Sequence, residues 1–197
     1  MNAIEAIMSR RSTRQFLDAM PDEEMIRTIV EAGRAAPSGG NSQSSHFFVI
    51  RDPQVLDSLA LTVQNAFARM EVTEGMYRSI ASSITRSKAG GYRFHYDAPV
   101  LIVIANQKDY GNNIADCACA LENMMIAGNA LNLGTCWINQ LKWLNENPEI
   151  LAVFRGYGLQ ENERIYGALA VGIPASPDHL PARTPLPRTG NEVTCIG

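Results

Sequence analysis

Asn2 and Glu5 stand at capping-box spacing ahead of Ile7 and Met8, which predicts a short helix ending near Ser9. A second helix opens around Pro21, with Asp22, Glu23 and Glu24 in the first turn, where the helix dipole favours anions. Its apolar positions Met25, Ile26, Ile29, Val30 and Gly33 recur at helical period, and Pro37 stops it. Ser38 to Ser45 is a polar, turn-type loop leading into His46–Ile50, a buried strand by its composition. Val55 to Met70 reads as a helix with Val55, Leu56, Leu59, Val63, Ala66 and Phe67 on one side. From Glu71 to Tyr92 the pattern weakens, which predicts an excursion or lid with some helix over 71–92. Pro99 to Ile104 is apolar at successive positions, so both faces of this strand are covered and it is central. Asp116 to Leu133 makes a long apolar helix with Gly134 in the C′ position. The strand Thr135–Ile138, a helix from Pro148 to Phe154 and the strand Ile165–Ile173 follow. Prolines 174, 177, 181, 185 and 187 then predict an extended arm over 174–197. Helices and strands mix without βαβ alternation, so the fold class is α+β, with helices packed on a mixed sheet.

Composition narrows this picture. At 197 residues the chain has the length of one domain, 1–197, able to bury a core without disulfides or a structural metal. No apolar run approaches the roughly 20 residues of a membrane helix, and the first residues carry neither a basic segment nor an apolar one before Arg10, so no secretory signal is expected. Cys117, Cys119, Cys136 and Cys195 form no CxxC pair, and His46, His95 and His179 are scattered, so no metal site is expected. Free thiols fit a reducing, cytoplasmic setting. A formal charge of -3 argues against a dedicated nucleic-acid binder.

Four segments could carry chemistry. Arg10-Arg11-Ser12-Thr13-Arg14 concentrates guanidiniums and hydroxyls suited to a phosphate or carboxylate; equally, Arg10 and Arg11 could complement the dipole of the first helix. Pro37-Ser38-Gly39-Gly40-Asn41 allows close backbone approach to a ligand, or is a plain connector. Gly134 to Gln140 brings Trp137, able to stack on a planar ring or to fill the core, beside Cys136, which reads as a small buried thiol. Arg183 and Arg188 lie on the proline-stiffened arm. Other machinery is missing: Gly156-Tyr157-Gly158 lacks the third glycine of a dinucleotide fingerprint, and no Gly-x-Ser-x-Gly elbow exists. The acidic pairs Glu23-Glu24 and Glu161/Glu163 read as solvated surface. No side chain is therefore assigned as catalytic, and a bound cofactor would have to supply the reactive group.

In order and spacing, these segments resemble the nitroreductase family of flavin mononucleotide (FMN) enzymes. The resemblance rests on Arg10-Arg-Ser-Thr-Arg-Gln-Phe16, Ala36-Pro-Ser-Gly-Gly-Asn-Ser-Gln43, Asp97-Ala-Pro-Val100, Leu133-Gly-Thr-Cys-Trp-Ile138 and Val171-Gly-Ile-Pro174. It implies a mixed, mainly antiparallel sheet flanked by helices, in a homodimer with an extended C-terminal arm. Arg10, Ser12, Arg14 and Arg183 would bind the FMN phosphate and ribityl chain, with Arg11 contributing beside them. Asn65 would offer its amide to the pyrimidine. Pro37, Ser38, Gly39 and Asn41 would come from the other subunit, and Trp137, Ile138, Asn139 and Gln140 would line the N5 side of the ring. Relatives often carry Glu-Gly or Gly-Gly where this chain has Asn139-Gln140. The implied activity is FMN-dependent NAD(P)H oxidoreduction: NADPH or NADH reduces the flavin, leaves, and a nitroaromatic, quinone or similar small acceptor is reduced in its place. A flavin-binding sensor or carrier without turnover, and an anion- or nucleic-acid-binding module built on Arg10 to Arg14, are the competing readings.

Overall fold

The computed structural model describes all 197 residues. The first helix, α1 (Ala3–Ser9), begins with the expected capping box, in which Asn2 Oδ1 accepts from Glu5 N–H and Glu5 Oε2 accepts from Asn2 N–H. Helix α2 (Glu23–Arg34) is capped by Asp22 and buries Ile26, Ile29 and Gly33. Four strands follow among the remaining helices: β1 (His46–Ile50), β2 (Val100–Gln107), β3 (Gly134–Ile138) and β4 (Glu163–Gly172). They form one sheet in the order β1-β2-β4-β3, and every pairing is antiparallel.

Alternation along the central strands divides the core in two. Leu101, Val103, Ala168 and Ala170 face α3 (Pro53–Ala68), α4 (Arg78–Ala89), α6 (Gln140–Trp143) and α7 (Pro148–Gly156). Val100, Ile102, Ile104, Leu169 and Val171 face α2 and α5 (Asn113–Ala130). Helices thus cover both faces, and β2 is sealed from Val100 through Asn106, each 0% exposed. Each large side chain buried this way contributes about 1.5–3 kcal/mol of transfer free energy.

Several expectations need correction. β1 is an edge strand and only half-buried, with Val49 outward; its neighbour on one side is β2 and on the other side it has none. The 71–92 stretch does hold the helix expected within it, α4, which packs on α3 and buries Ser83, Ile84 and Ser87. Its pattern is weak because serines, rather than large apolar residues, occupy two of its buried positions. Helix α5 is closed by Asn132, not by Gly134. Asn132 has φ +64°, its N–H bonds to Asn129 O at 3.2 Å, and Leu133 N–H reaches Gly128 O at 2.8 Å, the two bonds of a Schellman turn. Gly134 serves a different need: a Cβ there would lie 2.7 Å from Thr13 Cγ2. Glu163 is buried rather than solvated. Its carboxylate sits 3.0 Å from His46 Nδ1 and accepts from Gln160 N–H at 2.9 Å. The arm from Pro174 contains no helix or strand, in line with its prolines.

Candidate functional site

Past Ser9 the chain leaves the helical conformation at Arg10 (φ -57°, ψ 132°) and runs beside β3. Ser12 pairs with Thr135 in a parallel bridge, and Thr13 N–H donates to Thr135 O at 2.9 Å. Further on, Leu17 N–H donates to Ile173 O, and Phe16 bridges to Pro174. These backbone bonds, with the close approach permitted by Gly134, hold the arginine segment rigidly at one end of β3.

There Arg10, Arg11, Ser12 and Arg14 line a cavity of about 210 Å³, together with Met8 and, from the arm, Pro185, Leu186 and Arg188. Arg11 Nη1 donates to Thr184 O at 2.8 Å and draws the arm over the opening. Arg14 lies 5.8 Å above the Tyr96 ring. Arg10 Nε is 4.0 Å from Glu122 Oε1, but its Nη1 is buried without a partner. A buried charged donor left unpaired is costly, and the four guanidiniums around the cavity are otherwise balanced only by the distant Glu122 carboxylate. Behind the cavity, burial pushes the Cys136 thiol pKa up while Arg14, Ser12 and Arg10 pull it down. Burial is the larger effect, so the thiol pKa lies above its ordinary value.

Arg183 does not join this cavity. Its Nη2 donates to Asn129 O at 2.8 Å and to Asn132 Oδ1 at 2.6 Å, where a cation complements the carboxyl end of α5. Asn129 in turn donates to Ala6 O at 2.9 Å, so one buried amide ties α1, α5 and the arm together. Arg188 is the arginine of the arm that lines the cavity. Both arginines follow prolines closely, and nothing local to the sequence separates them.

At the far end of β3, Trp137 is partly buried and donates from Nε1 to Asn139 Oδ1 at 2.9 Å. Ile138 is buried in the core. Gln140 is committed inward, its Nε2 donating to Tyr92 Oη at 2.8 Å and to Ser83 Oγ at 3.4 Å. From Thr135 to Asn139 a strand covers about 13 Å at about 3.3 Å per residue. The cationic cavity and the aromatic–amide corner therefore stand at opposite ends of an elongated site along one strand.

The 37–43 loop lies elsewhere in the chain. Gly39 N–H donates to Asp116 at 3.1 Å, Tyr110 Oη donates to Gly39 O at 2.8 Å, and Ser38 Oγ accepts from Gln43 N–H at 3.1 Å. Asn41 Oδ1 accepts from Gln43 Nε2, and Pro37 and Ser38 line a separate cavity of about 310 Å³ with Asp116 and Phe47. Along α5, Asp116 is about 20 Å from Asn129 and about 120–140° round the helix from Glu122 and Asn129, which share the arginine face. Asn65 is exposed on α3 and makes no side-chain hydrogen bond.

A helix-flanked antiparallel sheet, with a cationic cavity and an aromatic–amide corner at the two ends of its edge strand β3, defines an α+β protein. A model of the nitroreductase family matches residues 7–173, and the chain belongs to that family. It is similar over 100% of both chains to a nitroreductase from Bacteroides fragilis solved with bound FMN, at 29% identity and a TM-score of 0.87. It is also 27% identical, over 87% of this chain and 84% of the other, to an Archaeoglobus fulgidus protein provisionally named an NADH dehydrogenase/NAD(P)H nitroreductase. An FMN reductase (NADPH) of Bacillus subtilis is 26% identical over 89% of this chain and 67% of its own length.

Proposed function

We propose that this chain is an FMN-dependent NAD(P)H oxidoreductase, acting as a homodimer on a nitroaromatic, quinone or similar small acceptor. The observation that carries the reading is the cavity lined by Arg10, Arg11, Ser12, Arg14 and Arg188, four guanidiniums and a hydroxyl converging on one space. A phosphate monoester is the anion that fits such a donor array. FMN matches it at the other end as well, because its planar ring would reach along β3 to Trp137 and Asn139. The family membership and the FMN-bound relative support the choice of cofactor.

The chemistry supplied by bound FMN is two-electron transfer in alternation, from NADPH or NADH and then to the acceptor. The residues have plainer tasks. Arg10, Arg11, Ser12, Arg14 and Arg188 neutralise and fix the phosphate. The backbone bonds of residues 12–17 keep that anchor in register with β3. Trp137, Ile138, Asn139 and Gln140 bound the reactive end, and Asn65 is a candidate contact from α3. Pro37, Ser38, Gly39 and Asn41 face away from the arginines of their own chain, so they can serve this site only from a second copy. Ile4, Ile7 and Met8 on α1, each 45–69% exposed, offer that copy apolar side chains. No helix is long and apolar enough to cross a membrane, and a cytoplasmic setting is part of the proposal.

The test is the absorption spectrum of the purified protein, followed by anaerobic addition of NADPH and then a quinone. A yellow protein that bleaches and recovers its colour supports the enzyme. Colour that NAD(P)H leaves untouched selects the sensor or carrier reading instead. Arg10→Ala with Arg14→Ala should strip the FMN while the apoprotein melts within about 1 kcal/mol of the parent, since partly exposed arginines contribute little to folding. Unchanged flavin content in that variant would place the phosphate elsewhere.

A further inference from the structure

Two side-chain amides sit at the corner after β3, and the structure commits them differently. An indole N–H can only donate, so the bond from Trp137 Nε1 fixes Asn139 Oδ1 toward the ring and turns Nδ2 away from it. Asn139 occupies the residue before α6, where an asparagine usually accepts from the first helical N–H groups; here its side chain makes no such bond. Its oxygen is taken by the indole, and its partly exposed Nδ2 has no partner within the chain. Gln140 is the opposite case, with its Nε2 spent on Tyr92 and Ser83. Gly167 leaves the indole its room, since a Cβ at that position would meet Leu121 Cδ1 at 2.7 Å and stand 3.4 Å from the indole nitrogen.

Resting on the FMN reading above, we infer that Asn139 Nδ2 is the side-chain donor this chain presents to the redox-active end of the cofactor, with Trp137 as the positioning residue that holds it there. Where other family members carry Glu-Gly or Gly-Gly, the donor in this chain is a carboxamide whose orientation is set by a neighbouring indole. A neutral donor beside a ring that gains negative charge on reduction favours the reduced form.

Asn139→Asp isolates this role: the acceptor for the indole remains, while the outward N–H donor becomes a negatively charged oxygen. The midpoint potential of bound FMN, measured by spectroelectrochemical titration of the loaded protein, should fall. The expected shift is at least about tenfold in the reduction equilibrium, about 30 mV for a two-electron couple. By linkage, the affinity for reduced FMN should fall at least about tenfold more than that for oxidised FMN, which flavin fluorescence reads for the oxidised form. Trp137→Phe should move the potential in the same direction by less, because the freed amide can turn. Ser83→Ala, which loosens the corner through Gln140, should lower the melting temperature and leave the potential alone. An unchanged potential in Asn139→Asp overturns the inference. So does a Ser83→Ala shift of equal size, which would make the effect one of loosening. A parent protein that takes up no FMN at all would instead overturn the proposed function.

Discussion

His95 is 1% exposed beside Phe94, and its Nδ1 has no partner. Desolvation, reinforced by the positive charge of Arg93, lowers its pKa from 6.5 to about 4, with Asp97 and Asp57 opposing the shift. The folded protein therefore holds a neutral ring over a range where the unfolded chain binds a proton. Stability from this residue is complete above pH 6.5 and is lost as the pH falls toward 4. At about 1.4 kcal/mol per pH unit the loss across the window is on the order of 3 kcal/mol. His95→Phe removes the titrating group while keeping a ring in the core. Thermal melts from pH 7 to 4.5 should fall less steeply for the variant than for the parent, and parallel curves would show that His95 does not govern the acid limb. The histidine count was plain in the sequence, but the depressed pKa was not, because burial of residue 95 is a property of the assembled core.

At the scale of elements, Gly134 joins β3 to the arginine segment. The Thr13 side chain lies over it, and an added methyl would meet that side chain at 2.7–2.9 Å. Gly134→Ala should therefore push residues 12–14 off β3, at a cost of about 1–3 kcal/mol for an overpacked contact. FMN affinity should drop at least about tenfold, since the phosphate donors move with the backbone. Equal affinity in the variant, measured by fluorescence titration, would mean that the segment finds its place without β3. Most elements were legible because their signals are local: the Asn2–Glu5 box, the acidic start of α2, and the unbroken apolar run of β2. α4 was obscured because its buried face uses Ser83 and Ser87, and α6 because four residues carry no period. The Asn132 turn and the Arg183 clamp on α5 were not legible either. The first needs a φ value, and the second joins residues 51 and 54 positions apart. Of the candidate site, the arginine cluster was legible as a dense local motif, whereas which arginine of the arm lines the cavity depends on how the arm lies.

For the whole molecule, the decisive feature is the separation of the 37–41 loop from the arginine cavity on two faces of α5. If one FMN touches both, the two sets of residues come from different copies, and this can be tested by complementation. Arg10→Ala with Arg14→Ala disables the phosphate anchor. Gly39→Val disables the loop, because its side chain would overlap Asn112 and reach within 2.5 Å of Tyr110 Oη. Each homodimer of a variant then has two defective sites. A heterodimer made from one copy of each has one site carrying both defects and one carrying neither. Random exchange of equal amounts should therefore restore about a quarter of the parental FMN sites, by the statistics of a twofold-symmetric pair. The expected result is yellow colour and NADPH-driven bleaching appearing on mixing, with neither variant showing them alone. Were each site built within a single chain, every copy in the mixture would keep its own defect, and mixing would restore nothing.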